Sequence, residues 1–547
     1  MNNFLHVIDK EWGHHSYYHT KSIGLTIETN IDNNIITLKE ARLYDGDWVF
    51  SFNNVDDLIE YFKIKTSKWT KETQIVYCDD LRVAKYILHK YITNSFQTAK
   101  LIYSHYLLGG KIELRDIYGF IQDINTAKKD LDCDDEDCVV LQKYGQRLLD
   151  MFCEEKFAYL TIYQKLRKDL HKSWKQSGII LEEDSYYIYQ QMIKAKRGGM
   201  CFIHWPRLEI NEPILGVDRT SAYPCDLLLE KYPMTRFKSG DCQNWQKYLN
   251  DDYAFFGTFT INYDSNFDHY FSCVYAENTY CLPRGINQEV TLTLTDVDVL
   301  TLEKILDIRG NIKCRNIFVA KKDYLPDYIA NELIKRYTAK STLKGNKDMM
   351  WKYRQTKLEL NAFTGNLQRK LNSAQEYKNK EKGINPAWGV WLTAYGRYHL
   401  VDLALQVNDR FYGDTDSIFC SDNTKNRETI ANYNLKHLQK IKAVCELRGW
   451  DVGVLCDLGK FELEHTITHF YAAKQKQYGY ICSNGEEIVK CSGYERGSIS
   501  YEQLIKMNLP QMNIKKYYID ENDEFRFDDI TREEYLMMMQ MNEREYY

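Results

Sequence analysis

The sequence predicts a multidomain α/β protein, and three observations carry that expectation. The chain is 547 residues long, enough for several domains at roughly 100–200 residues each. Short stretches of alternating apolar and polar residues recur between longer segments of helical period. Hydrophobic residues make up 44% and charged residues 27%, the balance of a folded chain with buried cores. A peptide hormone, a lone binding module, a disulfide-stapled mini-protein and global disorder are excluded. The 15 Cys stand singly with no CxxC pair, which reads as reduced intracellular thiols and argues against structural zinc. The N-terminal MNNFLHVIDKEWGHH has no basic-then-apolar leader pattern, and no eighteen apolar residues run together. A cytoplasmic, non-membrane protein is expected.

Residues 1–180 open with strand-like segments: KSIGLTIET from Lys21, NNIITLKEARLY from Asn33, DWVFSF from Asp47 and TQIVYC from Thr73. Helical patterns follow, DLRVAKYILHKYI from Asp80 and CVVLQKYGQRLLDMFCEE from Cys138, the latter preceded by an acidic run from Asp132 to Asp137. That describes an α/β domain. A second α/β region opens near Gly198, and residues 291–320 read strand, helix, strand. Two helices are expected next, over 325–343 and 348–363, with Gly345 and Asn346 between them. Strands return at DRFYGDTDSIFC from Asp409 and HFYAAKQKQYGYICS from His469, and a short acidic tail closes the chain.

The formal net charge of -5 speaks against a phosphate-rich partner, but its distribution speaks for one. Residues 335–382 hold thirteen Lys or Arg against four acids, a local net of +9, whereas 517–547 hold ten acids against three Arg, a net of -7. Arg336, Lys340, Lys344 and Lys347 recur at helical spacing and place four cations on one face. Such a stripe is either a solvated helix face or a polyanion site.

Phe411-Tyr412-Gly413-Asp414-Thr415-Asp416-Ser417 is the most informative stretch. Apolar residues flank it, which places two carboxylates at the turn of a largely buried hairpin, where ionised groups are costly without a partner. Two readings follow: an Asx-rich turn bonding its own backbone, or a pair of ligands for a divalent cation. Asp218 follows the apolar run Pro213 to Val217, and Tyr223-Pro224 begins the next element. Nucleotidyl transfer uses two metal ions about 3.5–4 Å apart, held by carboxylates from separate strands. Asp218, Asp414 and Asp416 are candidates for that set. Lys357, Asn361 and Thr364 share one helix face at i, i+4 and i+7. They form either an ordinary amphipathic helix or a cation with shorter polar groups facing a triphosphate, sugar and base. His465 and His469 lie in a strand-like stretch where an i,i+4 pair does not meet, so zinc is not expected there. Gly109-Gly110-Lys111 lacks the rest of a P-loop.

Taken in order, DxxSxYP at 218–224, KxxxNxxxG at 357–365 and YGDTDS at 412–417 resemble the three polymerase motifs of family B DNA polymerases. Thr393-Ala394-Tyr395-Gly396-Arg397 resembles the TxxGR primer-template motif, Lys476-Gln477-Tyr478 the KxY motif, and Arg197-Gly198-Gly199 the YxGG linker between exonuclease and polymerase halves. The 291–320 unit stands where protein-primed small-phage and linear-plasmid polymerases carry a subdomain that contacts a terminal protein. The resemblance implies a right-hand polymerase with palm, fingers and thumb behind an RNase H-like exonuclease-type domain. Its divisions would be 1–180 exonuclease-like, 181–240 first part of the palm, 241–330 insertion, 331–385 fingers, 386–497 second part of the palm, and 498–547 thumb and tail.

The same resemblance implies a template-directed DNA polymerase using two Mg²⁺ ions, for which Mn²⁺ can substitute. Asp218 and Asp416 would be the metal ligands and Asp414 a weaker third. Tyr223 would close the sugar pocket, Lys357 with Lys340, Lys344 or Lys347 would hold phosphates, and Asn361 and Thr364 would lie beside the nucleotide. Gly198, Gly199, Thr393, Gly396, Arg397, Lys476 and Tyr478 would follow the DNA. The implied partners are primer-template DNA, dNTPs and a separate priming protein, encoded by a phage, plasmid or mobile element in a bacterial cell.

The sequence departs from the family at its N-terminal end. Where DxE is expected it reads Thr26-Ile27-Glu28, the second acid falls on Ala84 with Asp79 and Asp80 nearby as alternative alignments, and YxxxD becomes Cys133 to Asp137. Glu28 and Asp137 are the remnant of four carboxylates, which predicts a lost proofreading activity. Lys196 replaces the linker Tyr, Ala362 a Ser, and Thr364 the Tyr that lines the nascent base pair. The short, lysine-rich stretch from Gly365 to Gly389 leaves little room for the hairpin with which phage relatives encircle DNA. A primer-independent or untemplated transferase on the same fold, and a non-catalytic DNA-binding scaffold, stay open as alternatives.

Overall fold

The computed structural model describes most of residues 23–530. Residues 1–22, 264–287 and 531–547 lie outside the described part, as do shorter stretches that include 79–82, 117–126, 347–348 and 507–513. The chain divides into two compact units, the first comprising 1–166, 343–359 and 511–547, the second 167–342 and 360–510. Among the described residues no helix is long and apolar enough to cross a membrane.

The first unit is built on a nine-stranded sheet. Its N-terminal part supplies β1 (Ile23–Asp32), β2 (Ile35–Tyr44), β3 (Val49–Phe52), β4 (Gln74–Cys78), β5 (Ile92–Gln97), β6 (Ile102–Leu107) and β7 (Ile112–Asp116). The order is β2-β1-β4-β7-β6-β5, with β3 on β2 and the β1–β4 and β4–β7 pairs parallel. In β2, Ile36 is buried beside exposed Thr37, and Ala41 and Leu43 are buried further on, the inward parity changing at Lys39, where the register between β1 and β2 shifts. Helices α1 (Val55–Ser67) and α2 (Asp137–Phe152) accompany the sheet. Leu58 and Phe62 join Leu25, Val76 and Ala84 in its apolar core. The strands Ile514–Ile519 and Phe525–Ile530 pair with each other and extend the sheet past β2, with Ile35 opposite Arg526. The segment expected as thumb and tail thus covers a sheet edge, a place where unpaired backbone groups invite a partner strand.

The second unit holds two sheets. The larger has eight strands. Seven follow one path: β8 (Cys201–Ile203), β9 (Ile214–Arg219), β13 (Arg410–Asp414), β14 (Ser417–Ser421), β15 (Phe461–Lys474), β16 (Gln477–Cys482) and β17 (Glu487–Cys491), in the order β8-β13-β14-β9-β15-β16-β17. The smaller sheet contains β10 (Tyr253–Tyr263), β11 (Gln288–Thr295) and β12 (Ile312–Tyr324), with β10 between the other two. Its helix α4 (Asp296–Ile305) begins in a complete capping box: Thr295 Oγ1 accepts from the Asp298 N–H, and Asp298 accepts from the Thr295 N–H. The expected strand, helix, strand order at 291–320 is therefore present. It is not a separable module, because Leu292, Leu294, Leu302, Ile305 and Ile317 share one core with Leu215, Val217, Leu400 and Ile418.

The remaining helices are α3 (Ala222–Leu229), α5 (Asp327–Leu343), α6 (Met350–Leu367), α7 (Pro386–Ala404) and α8 (Thr424–Arg448). The two helices expected over 325–343 and 348–363 are α5 and α6, and the division between units falls inside α6, after Glu359. Helix α7 is buried along nearly its whole length, as its apolar composition requires. It passes so close to the end of α6 that a Cβ at Gly389 would lie 2.0 Å from the Leu367 carbonyl oxygen. Gly389→Ala is expected to destabilise the protein by about 1–3 kcal/mol or more through overpacking against fixed backbone. Gly198→Ala, with nothing within 4 Å of the added carbon, is the control that should leave the melting temperature unchanged.

Candidate active site

The aspartates singled out in the sequence converge on the middle of the eight-stranded sheet. Strand β9 lies between β14 and β15, with Asp218 opposite Ser417 on one side and Glu462 on the other. Asp414 ends β13 and Asp416 stands in the two-residue turn that leads into β14, where Asp414 pairs with Ser417. Thr415 takes φ +63, a left-handed conformation that costs a β-branched residue energy. The surroundings hold it there: its N–H donates to Met200 O at 2.7 Å, and the Asp416 N–H donates to Asp414 O at 2.7 Å. A Cβ on Gly199 would lie 2.8 Å from Thr415 Cγ2, so the absence of a side chain at Gly199 makes room for this turn. The Arg219 N–H donates to Asp416 O at 2.9 Å and ties the turn to β9 one residue after Asp218.

The three carboxylates differ in their surroundings. Asp414 Oδ1 is bound by Lys476 Nζ and accepts from Thr415 Oγ1 at 2.9 Å. Burial raises the Asp416 carboxyl to about 6, and the neighbouring Asp414 charge adds to the rise. A group in that condition gains from an added cation. Asp218 and Asp416 fit a divalent ion by chemistry and by strand placement, and Asp414 fits the weaker part because Lys476 already engages it. Among the described residues, the group whose ligand atoms all lie within 4.8 Å of one another is a different one, Asp226, Glu230 and His399. It is internally neutralised, since Arg219 NH2 lies 2.7 Å from Asp226 Oδ1 while His399 Nε2, at 2.8 Å, and Lys440 Nζ bond Glu230.

Tyr223, in the first turn of α3, is held above its ordinary range, at about 12, by burial. A Cβ at Gly396 of α7 would lie 2.9 Å from its ring, so the Gly of TxxGR provides the space in which Tyr223 sits. Lys340 of α5 donates to Ser221 Oγ at 2.7 Å, which brings one of the candidate phosphate-binding cations to the Asp218 turn. Lys344 and Lys357 are exposed and cluster with the first unit, and Lys347 lies outside the described residues. Asn361 is exposed, whereas Thr364 is buried with its hydroxyl donating to Asn361 O at 2.7 Å.

Several residues expected along the DNA are packed inside the protein. Arg397 is 0% exposed. Its guanidinium donates to Arg197 O at 3.0 Å and Gly198 O at 2.8 Å, and pairs with Asp298 Oδ1 at 2.6 Å. It therefore shapes the Arg197–Gly198 backbone and anchors α4. Thr393 is buried and back-bonds to Val390 O. Tyr478 lies in an aromatic cluster with Tyr412, Phe419, Phe470 and Tyr480. Lys476 and Gly198 are exposed. In the first unit Glu28 is paired with Lys39 at 3.0 Å and Asp137 with Lys128 at 2.8 Å, while Ala84 is fully buried. The alternative positions Asp79 and Asp80 lie outside the described residues. Sequence reading missed the Arg219–Asp226 pair. Its signal was a charge inside the apolar run from Ala222 to Leu229.

With this geometry in place, comparison with solved structures finds phi29 DNA polymerase. The chain shares that fold. The structure of phi29 DNA polymerase complexed with primer-template DNA and incoming nucleotide substrates aligns with a TM-score of 0.65 at 14% identity, over 94% of this chain and 100% of that one. Its binary complex with primer-template DNA aligns with a TM-score of 0.66 at 14% identity, over 93% and 99%. The complex of phi29 DNA polymerase with single-stranded DNA aligns at 0.65 over the same shares. No family model matches the chain, and no curated protein sequence matches it.

Proposed function

We propose that this protein is a template-directed DNA polymerase that adds deoxynucleotides to a 3′-hydroxyl. The observation that carries the reading is the meeting of Asp218 and Asp416 at the centre of one sheet, beside Tyr223 and Lys340, within a fold shared with phi29 DNA polymerase. The eight-stranded sheet corresponds to a palm, α5 and α6 to fingers, and the small sheet with α4 to the insertion. Two Mg²⁺ or Mn²⁺ ions held by Asp218 and Asp416 would activate the 3′-hydroxyl and stabilise the departing pyrophosphate. Tyr223 excludes a 2′-hydroxyl by bulk, Lys340 neutralises the triphosphate, and Lys476 orients Asp414 at the primer end. Primer extension with and without template tests the reading. Synthesis only on a primed template supports it, and template-independent tailing favours the untemplated alternative.

Proofreading is proposed to be lost. The remaining acids, Glu28 and Asp137, are each engaged by a lysine, and Ala84 lies within the apolar core. Incubation of a single-stranded oligonucleotide with Mg²⁺ or Mn²⁺ should leave its length unchanged. Metal-dependent shortening that disappears in Glu28→Ala or Asp137→Ala would falsify this.

Initiation is proposed to use a priming protein encoded elsewhere, probed by its hydroxyl adduct with a nucleotide. Lys313 of β12 is exposed, on the opposite face of the strand from the core residues Ile312 and Cys314, and offers a surface for it that the core does not need. Lys313→Glu should lower the yield of protein–nucleotide adduct while primed elongation is unchanged. Efficient start-up on unprimed DNA by the polymerase alone would instead favour primer-independent synthesis. A phage or mobile element is the proposed source.

A further inference from the structure

We propose that Arg219 and Asp226 form a positioning clamp that sets the Asp218 carboxylate and the Tyr223 ring, an inference that rests on the polymerase reading above. Asp218 and Tyr223 belong to one strand–turn–helix segment, and the ion pair spans it from the residue after Asp218 to the middle of α3. Arg219 NH2 lies 2.7 Å from Asp226 Oδ1, with the side chains 2% and 0% exposed. Neither oxygen of Asp226 has a well-aligned hydrogen-bond donor, so the guanidinium is what compensates its buried charge. His399 Nε2, at 3.6 Å from Asp226, stands closer to Glu230 at 2.8 Å.

Further contacts of Arg219 fall on the same site, and its NH2 also donates to Cys225 Sγ of α3 at 3.5 Å. Its N–H donates to Asp416 O, and its Nε donates to Gly459 O at 3.3 Å, next to the start of β15. One residue thus touches the peptide of Asp416, the helix that carries Tyr223 and the loop entering the neighbouring strand. The turn inside the clamp is one that its local sequence does not favour. Ser221 sits at φ +49 and starts α3 with no side-chain cap, so neither backbone preference nor capping fixes it. The Arg219–Asp226 pair across the segment does, together with Lys340, which donates to Ser221 Oγ at 2.7 Å. Buried ion pairs are often replaceable by well-packed apolar residues without loss of stability, whereas removing one partner alone is strongly destabilising. The clamp's contribution is therefore separable from the fold.

The double variant Arg219→Met with Asp226→Leu and the single variant Arg219→Lys are compared with the wild-type protein by thermal melting, Mn²⁺ binding followed by electron paramagnetic resonance without DNA or nucleotide, and primer extension. The double variant should melt near the wild-type temperature yet bind Mn²⁺ about 10- to 100-fold more weakly, as expected when a group that orients a ligand is lost. Its kcat should fall about 10²-fold, the scale of a small displacement of reacting groups, with the KM for primer-template unchanged and selectivity against ribonucleotides reduced. Arg219→Lys should lie between. Wild-type Mn²⁺ affinity and kcat in the folded double variant overturn the clamp. If the double variant does not melt cooperatively, Asp226→Asn and Arg219→Lys decide the question by the same two readouts. A wild-type protein that binds Mn²⁺ but extends no primer overturns the polymerase reading instead, and the clamp is then judged on Mn²⁺ affinity alone.

Discussion

Asp416→Ala is expected to abolish primer extension, with kcat falling by about 10³-fold or more, since one metal ligand contributes several kcal/mol of charge stabilisation. Binding of primer-template, measured by fluorescence anisotropy, should change little, because the proposal places the phosphate contacts on exposed cations rather than on Asp416. Extension that survives in the variant sinks the assignment. The same residue makes a stability prediction. Burial, reinforced by Asp414, raises the Asp416 carboxyl to about 6 from its ordinary 3.8. Between those values the folded protein binds more protons than the unfolded chain, so stability falls as pH rises through that window. Asp416→Asn removes the penalty. In metal-free solution it should raise the melting temperature above pH 6, and the difference should vanish as pH falls towards 4. A variant that is better folded and inactive is the signature of a carboxylate placed for chemistry rather than for stability.

Tyr223→Ala is the second large effect. The ring stands in the first turn of α3, partly buried and packed over Gly396. Removing it opens the space in which a 2′-hydroxyl would lie, and discrimination between dNTP and rNTP should fall by about 10²-fold, the scale on which a pocket senses one small group by bulk. Single-nucleotide incorporation with each triphosphate measures it. Gly396→Ala provides an opposite perturbation, since its new Cβ would crowd the ring rather than remove it, and should lower dNTP incorporation as well. An unchanged selectivity ratio in Tyr223→Ala would mean that another side chain meets the sugar.

Local chemistry was legible in the chain itself. Alternation placed β1 to β4, helical period placed α5 and α6 to within a few residues, and the flanking apolar residues of Asp414 and Asp416 announced carboxylates at the turn of a buried hairpin. The pairing of Asp218 with Ser417 was not legible, because strand register is set by contacts between residues about 200 positions apart. The resemblance implies that Arg397 and Tyr478 follow the DNA, but a motif says nothing about which neighbour covers a residue. Packing against Asp298 and the Arg197–Gly198 carbonyls, and against a ring of aromatics, made the one an internal anchor and the other part of the core. The C-terminal strands on β2 and the Arg219–Asp226 pair are of the same kind. A residue's type and its near neighbours determine what chemistry it can perform, while the long-range pairing of strands and the burial of charge decide where that chemistry is brought together.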